Sequence, residues 1–193
     1  MNSNLLRDVL KYRSSSFEED ARKLSIKFSN LRRVSEADFY SLSDALDGNM
    51  QTSVYLKLLF AIASRRVCDN FKLGCKHSDE DVVRYLKAIM LDLSDETVYL
   101  VSITADGRVV AFDRVGSGTV NSSNILPRRI LEIAKIRGAA EVIVAHNHPG
   151  GHALPSDDDI VGTRLLRELL SSLKINLRNH YVIAGGEYSS VPL

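Results

Sequence analysis

The hydrophobic positions keep one period in the first part of the chain and alternate between two in the rest. Up to about residue 68 they recur at helical spacing. Leu5, Leu6, Val9 and Leu10 mark one short helix, and Phe17, Ala21, Leu24, Ile26 and Phe28 mark a second. Ser35 ahead of Glu36 and Asp38 reads as a cap and acidic first turn before Phe39 and Leu42. The turn signal Asp47-Gly48-Asn49 introduces SVYLKLLFAIASRR, apolar on nearly every face and closed by two arginines that suit a helix C-terminus. Residues 69–77 interrupt the pattern and read as a linker. Ser78 then caps DEDVVRYLKAIM, whose Val82, Val83, Leu86, Ile89 and Met90 form one apolar face.

Beyond residue 96 the period becomes that of strands. TVYLVSIT and RVVAFDRVG are β-branched runs joined by Ala105-Asp106-Gly107, a strong hairpin signal. Pro127 opens the helix PRRILEIAKIRG and Gly138 closes it. EVIVAHN reads as a strand buried on both faces, because Val142, Ile143, Val144 and Ala145 are continuous. DDDIVGTRLLRELLSSLK is an amphipathic helix with an acidic first turn, and HYVIAG and EYSSV form a last hairpin across Gly185-Gly186. The order helix, strand, strand, helix, strand, helix, strand, strand predicts an α/β domain over residues 78–193. A small helical domain over 1–68 precedes it.

Composition narrows the class. Hydrophobic residues make up 45% and charged residues 25%, as in ordinary globular proteins. No run approaches the roughly 18 apolar residues of a membrane span, and the N-terminus lacks the apolar core of a secretory signal. A soluble, cytoplasmic protein is expected. Cys68 and Cys75 form no CxxC pair and have no second pair to complete a structural zinc site, so they read as reduced thiols. The net charge of +1 conceals an asymmetry, with 13 Lys/Arg against 9 Asp/Glu in residues 1–76 and 12 against 15 in residues 77–193. That basic excess is too small to argue for nucleic-acid contact by itself.

The stretch that carries chemistry is AHNHPGGHALPSDDD, residues 145–159, between a buried strand and a helix. Residues two apart on an extended segment project to one side, so His146 and His148 can converge. Asp159, one helical turn beyond Ser156, can return a carboxylate to the same point. Two imidazoles and a carboxylate are a familiar zinc set that leaves a fourth tetrahedral position for water, which suits a catalytic site. Ser156 can also be the N-cap of the following helix. His152 lies inside the loop and reads as a rim residue, His180 as structural or as orienting a ligand, and His77 as part of the linker.

HNHPGGHALPSDDD resembles the JAMM (MPN or JAB) metalloprotease motif, HxHP followed by SxxD. With GTVNSS upstream and NHYVIAGGEY downstream, it is similar to the RadC family, whose members carry the name "DNA repair protein". The resemblance covers residues 78–193 and extends weakly over 1–68. It implies a JAMM/MPN-type, cytidine deaminase-like mixed sheet flanked by helices, with zinc held by His146, His148 and Asp159. It also implies peptide or isopeptide hydrolysis by metal-activated water, with Ser156 donating a hydrogen bond to the oxyanion. The family's general-base glutamate, counted back from Gly118-Thr119, falls on Asp113. An aspartate there is one methylene shorter and sets its oxygens about 1.5 Å back.

The family's helix-hairpin-helix element corresponds to residues 46–52, Leu-Asp-Gly-Asn-Met-Gln-Thr. These keep one glycine of the Gly-x-Gly hairpin and add Asp47 where a phosphate should lie. Three functions follow as expectations. The first is a zinc hydrolase acting on an unidentified protein or peptide. The second is a DNA-repair accessory protein that binds DNA through residues 1–68, or a partner. The third is a weakened scaffold that keeps its metal for folding.

Overall fold

The computed structural model describes residues 3–29, 31–91, 93–117, 125–149, 151–184 and 186–193. The chain divides into two compact units, residues 1–66 and 67–193. The first is helical, with α1 (Ser3–Leu10), α2 (Phe17–Lys27), α3 (Leu31–Glu36), α4 (Phe39–Ala45) and α5, which begins at Met50 and runs on to Asn70. Leu6, Leu10, Leu24, Val34, Leu42 and Leu56 form its core. Ser35 does not cap a helix. It lies within α3, and Asp38 caps α4 by accepting from the Ser41 amide, because the carboxylate sits directly ahead of the first helical residue.

The α4–α5 hairpin has Asp47 and Gly48 at positive φ. Its amides are spent internally, Gly48 N on the Ser43 carbonyl (2.8 Å) and Asn49 N on that of Leu46 (3.0 Å). The Asp47 carboxylate accepts from Lys23 (2.7 Å). A phosphate bound there would have to displace these bonds.

The second unit contains β1 (Cys75–Lys76), α6 (Asp79–Met90), β2 (Thr97–Ile103), β3 (Arg108–Ser117), α7 (Ile125–Ile136), β4 (Glu141–Asn147), α8 (Asp157–Ser172), β5 (Asn176–Ala184) and β6 (Glu187–Ser190). The expected linker is therefore partly structured. α5 enters it, and β1 pairs with β3 through Cys75 and Lys76. The mixed sheet has the order β1-β3-β2-β4-β5-β6, in which only β4 and β5 run parallel.

Both faces of the sheet are covered. On one, Val82, Val83, Leu86 and Met90 of α6 pack on Val101, Ile103, Ile143, Ala145 and Ile183. On the other, Ile130 and Ala134 of α7 and Leu166 and Leu170 of α8 pack on Val98, Leu100, Val142 and Val144. Local chemistry sets the element ends. Ser78 accepts from the Asp81 amide at the start of α6, and Gly107 at φ 83° turns the β2–β3 hairpin. β5 begins four residues before the expected HYVIAG run, because Arg178 finds Glu141 and makes a polar strand start favourable. No helix among the described residues is long and apolar enough to cross a membrane.

Candidate metal centre

β4 ends at the boundary between the two cores, and its last two side chains part company there. His146 is buried on the α7–α8 face, while Asn147 points to the other. Asn147 accepts from the Thr97 amide (2.8 Å) and donates to the Asp95 carbonyl (3.2 Å), tying down the entry to β2. The chain stays extended one residue further, where the His148 amide donates to the Ile183 carbonyl of β5 (2.9 Å). His146 and His148 therefore emerge on the same side.

Ser156 is the N-cap of α8. Its hydroxyl oxygen accepts from the Asp159 amide (3.1 Å), and the Asp159 carboxylate accepts from Ser156 N (2.7 Å) and Oγ (2.6 Å). This is a capping box built with aspartate. It holds the carboxylate facing β4, with Oδ1 3.2 Å from His146 Nε2 and Oδ2 3.6 Å from His148 Nε2. The two Nε2 atoms are 2.9 Å apart.

The donor set fits zinc. Bonds of about 2.0–2.1 Å in a tetrahedron put ligand atoms about 3.3 Å apart, and the three separations straddle that figure. His148 Nδ1 faces the His152 carbonyl (3.2 Å), which can only accept. The ring therefore carries its hydrogen on Nδ1 and turns an Nε2 lone pair toward a carboxylate and another imidazole, an arrangement that a cation resolves. Among the described residues, no other three His, Cys, Asp or Glu side chains converge in this way.

A sequence profile of the RadC-like JAB domain matches residues 76–192, a span containing all of these groups. The chain belongs to this family. A UPF0758 protein of Cellvibrio japonicus is 33% identical over 172 residues, covering 89% of this chain and 77% of the relative. One from Halorhodospira halophila is 34% identical over 182 residues, covering 91% and 79%. One from Pseudomonas putida is 30% identical over 176 residues, covering 91% and 78%.

In this RadC-like JAB domain, Asp113 is not brought to the three converging residues. On β3 it lies opposite Leu100, whose partner on β4 is Val144, so it sits one inward-facing position deeper in the sheet than His146. Both its oxygens accept from Arg137, just beyond α7 (3.0 and 2.5 Å). The expected base is therefore held by a guanidinium. Gly118-Thr119, the reference point for its place in the family motif, lie outside the described residues. The Ser156 hydroxyl is likewise committed, its hydrogen going to Asp159 rather than into the site. His152 contributes its carbonyl only, and His77 stacks on Phe71 (3.8 Å) away from the centre.

Burial works against ionisation of Asp159, yet the His146 imidazole beside it and hydrogen bonds from the Ser156 hydroxyl and amide hold it well below the usual carboxylate range. Behind the RadC-like centre, His180 of β5 places Nε2 2.9 Å from His146 Nδ1 and Nδ1 2.6 Å from Thr163 Oγ1. Burial, helped by the neighbouring His146, pushes the His180 ring from 6.5 down to about 3.

A pH dependence follows. Between those two values the unfolded ring takes up a proton that the folded one refuses, so the unfolded state gains on acidification. The metal-free domain is expected to lose up to about 1.4 kcal/mol of stability per pH unit from this group below pH 6.5. Urea midpoints across pH 7 to 5 measure it, and His180→Gln should flatten the slope. Thr163 and Asn147 gave no signal in the sequence, because neither is a motif position and each acts through distant backbone.

Proposed function

We propose that this RadC-like JAB domain is a zinc-dependent hydrolase of amide bonds, peptide or isopeptide, with His146, His148 and Asp159 as the metal ligands. What carries the reading is the convergence of two imidazole nitrogens and one carboxylate within 4.8 Å of one another, a set that leaves one tetrahedral position for water. When bound, zinc supplies Lewis acidity at a scissile carbonyl and lowers the pKa of a water toward neutrality.

The chain's own residues do the positioning. The His152 carbonyl fixes the ring of His148, and Ser156 fixes Asp159 through both its amide and its hydroxyl. Ser156 can serve a developing oxyanion only when its hydrogen leaves Asp159. Asp113 has no part in proton transfer in this reading, since its oxygens are already engaged by Arg137.

Metal analysis of the purified chain, with cleavage of peptide- and isopeptide-linked substrates before and after chelation, tests the proposal. One zinc per chain, and cleavage that disappears with chelator and returns with zinc, support it. A chain that stays zinc-free in micromolar zinc sinks it. Asp113→Ala is expected to leave zinc stoichiometry unchanged, alter cleavage less than about threefold, and cost at most about 1 kcal/mol, as for a partly exposed ion pair. A tenfold loss of cleavage would restore Asp113 as the base.

A further inference from the structure

We propose that Thr163 is a positioning residue that sets the tautomer of His146, so that a lone pair rather than an N–H faces the metal position. The importance of this for metal binding rests on the reading above. The hydrogen-bond logic does not.

One atom in this chain of contacts can never donate. The Asp159 main-chain carbonyl lies 2.5 Å from Thr163 Oγ1, so the threonine must supply the hydrogen between them. A hydroxyl has one hydrogen. Toward His180 Nδ1, 2.6 Å away, Thr163 is therefore an acceptor, and His180 carries a hydrogen on Nδ1. His180 is buried and its two ring nitrogens meet His146 and Thr163 rather than a carboxylate, so a second ring hydrogen would leave a poorly compensated buried charge. Its Nε2 is then a lone pair, and the hydrogen in the 2.9 Å contact with His146 must come from His146 Nδ1. What remains on the neutral His146 ring is an Nε2 lone pair, aimed at the point shared with His148 and Asp159.

The relay runs from the main chain of Asp159 through Thr163 and His180 to His146, whose Nε2 sits 3.2 Å from the Asp159 carboxylate with no hydrogen between them. The two ligands that flank the site are thus coupled from behind through two buried groups, Thr163 and His180. Thr163 is 1% exposed, so no water can easily replace its hydroxyl.

Thr163→Val keeps the shape and deletes the hydroxyl. His180 then has no acceptor for an Nδ1 hydrogen and moves it to Nε2, donating to His146 Nδ1. His146 in turn carries its hydrogen on Nε2, where Asp159 Oδ1 accepts it and the metal position is blocked. Thr163→Ser restores the original pattern. A role in packing alone predicts no tautomer change in the valine variant.

Long-range proton–nitrogen correlation spectra of the metal-free full chain read the tautomers directly, and zinc competition against a chromophoric chelator reads affinity. The expected result is Nδ1–H on His146 and His180 in the wild type and Thr163→Ser, and Nε2–H on both in Thr163→Val. The valine variant should also bind zinc about 10–100-fold more weakly. An Nδ1–H His146 in the valine variant overturns the proposal. So does an Nε2–H His146 in the wild type, a measurement that needs no variant to fold. A wild-type chain that binds no zinc overturns the metal reading instead, and the spectra still decide the relay.

Discussion

His148→Ala is expected to lower zinc affinity by at least about a hundredfold, more than the loss of a group that merely supports a ligand. His148 is the best ligand to remove. His146 is buried and hydrogen-bonded to His180, so its loss would disturb the core as well as the metal. His148 is half-buried and its ring bonds only a loop carbonyl on the side away from the metal position, so the fold should survive. His152→Ala is the matched control. That residue supports His148 through its backbone carbonyl, which the substitution retains, and affinity should stay within about threefold. Chelator competition on both variants makes the measurement. Equal affinities for wild type and His148→Ala would remove this residue from the ligand set.

Leu100→Ala should be the most damaging change remote from the metal. Leu100 is fully buried on β2, with β3 on one side and β4 on the other, and packs among Val98, Val115, Val142 and Val144. Truncation removes three carbons from a site hemmed in by two strands that cannot collapse into the gap. A loss of about 2–5 kcal/mol follows, toward the upper end because of that rigidity. Denaturant midpoints report it. Zinc bound per folded chain should be unchanged, because Leu100 is neither a ligand nor a hydrogen-bond partner of one. A cost below about 1 kcal/mol would mean that β2 is not the centre of the core.

These two sites differ in how far the sequence alone exposes them. The order of elements from α6 to β6 is legible because each carries a local signal, such as Ser78 at a helix start or Asp106-Gly107 between β-branched runs. The approach of His146, His148 and Asp159 is legible for the same reason, since strand and helix periods place them within fourteen residues of chain. What is not legible depends on partners far away. β1 is two residues long, and only its pairing with β3 makes it a strand. Arg178 gives β5 a polar beginning that becomes favourable only beside Glu141 of β4. Asp113 looks like a free carboxylate until Arg137, 24 residues on, claims both its oxygens. Thr163 resembles any residue on a helix until β5 brings His180 against it.

The apolar residues of β4 are poor guides to its own alignment. Val142 and Val144 fill one core and Ile143 and Ala145 the other, so sliding the strand by one residue would exchange aliphatic for aliphatic at little cost. The tip of the strand has no such symmetry. His146 has its partners on one side of the sheet and Asn147 on the other, and a slip would strand both polar groups among hydrocarbon. The pair thus works as an alignment pin, and a chain that misplaced its histidines would also have mis-threaded its central strand.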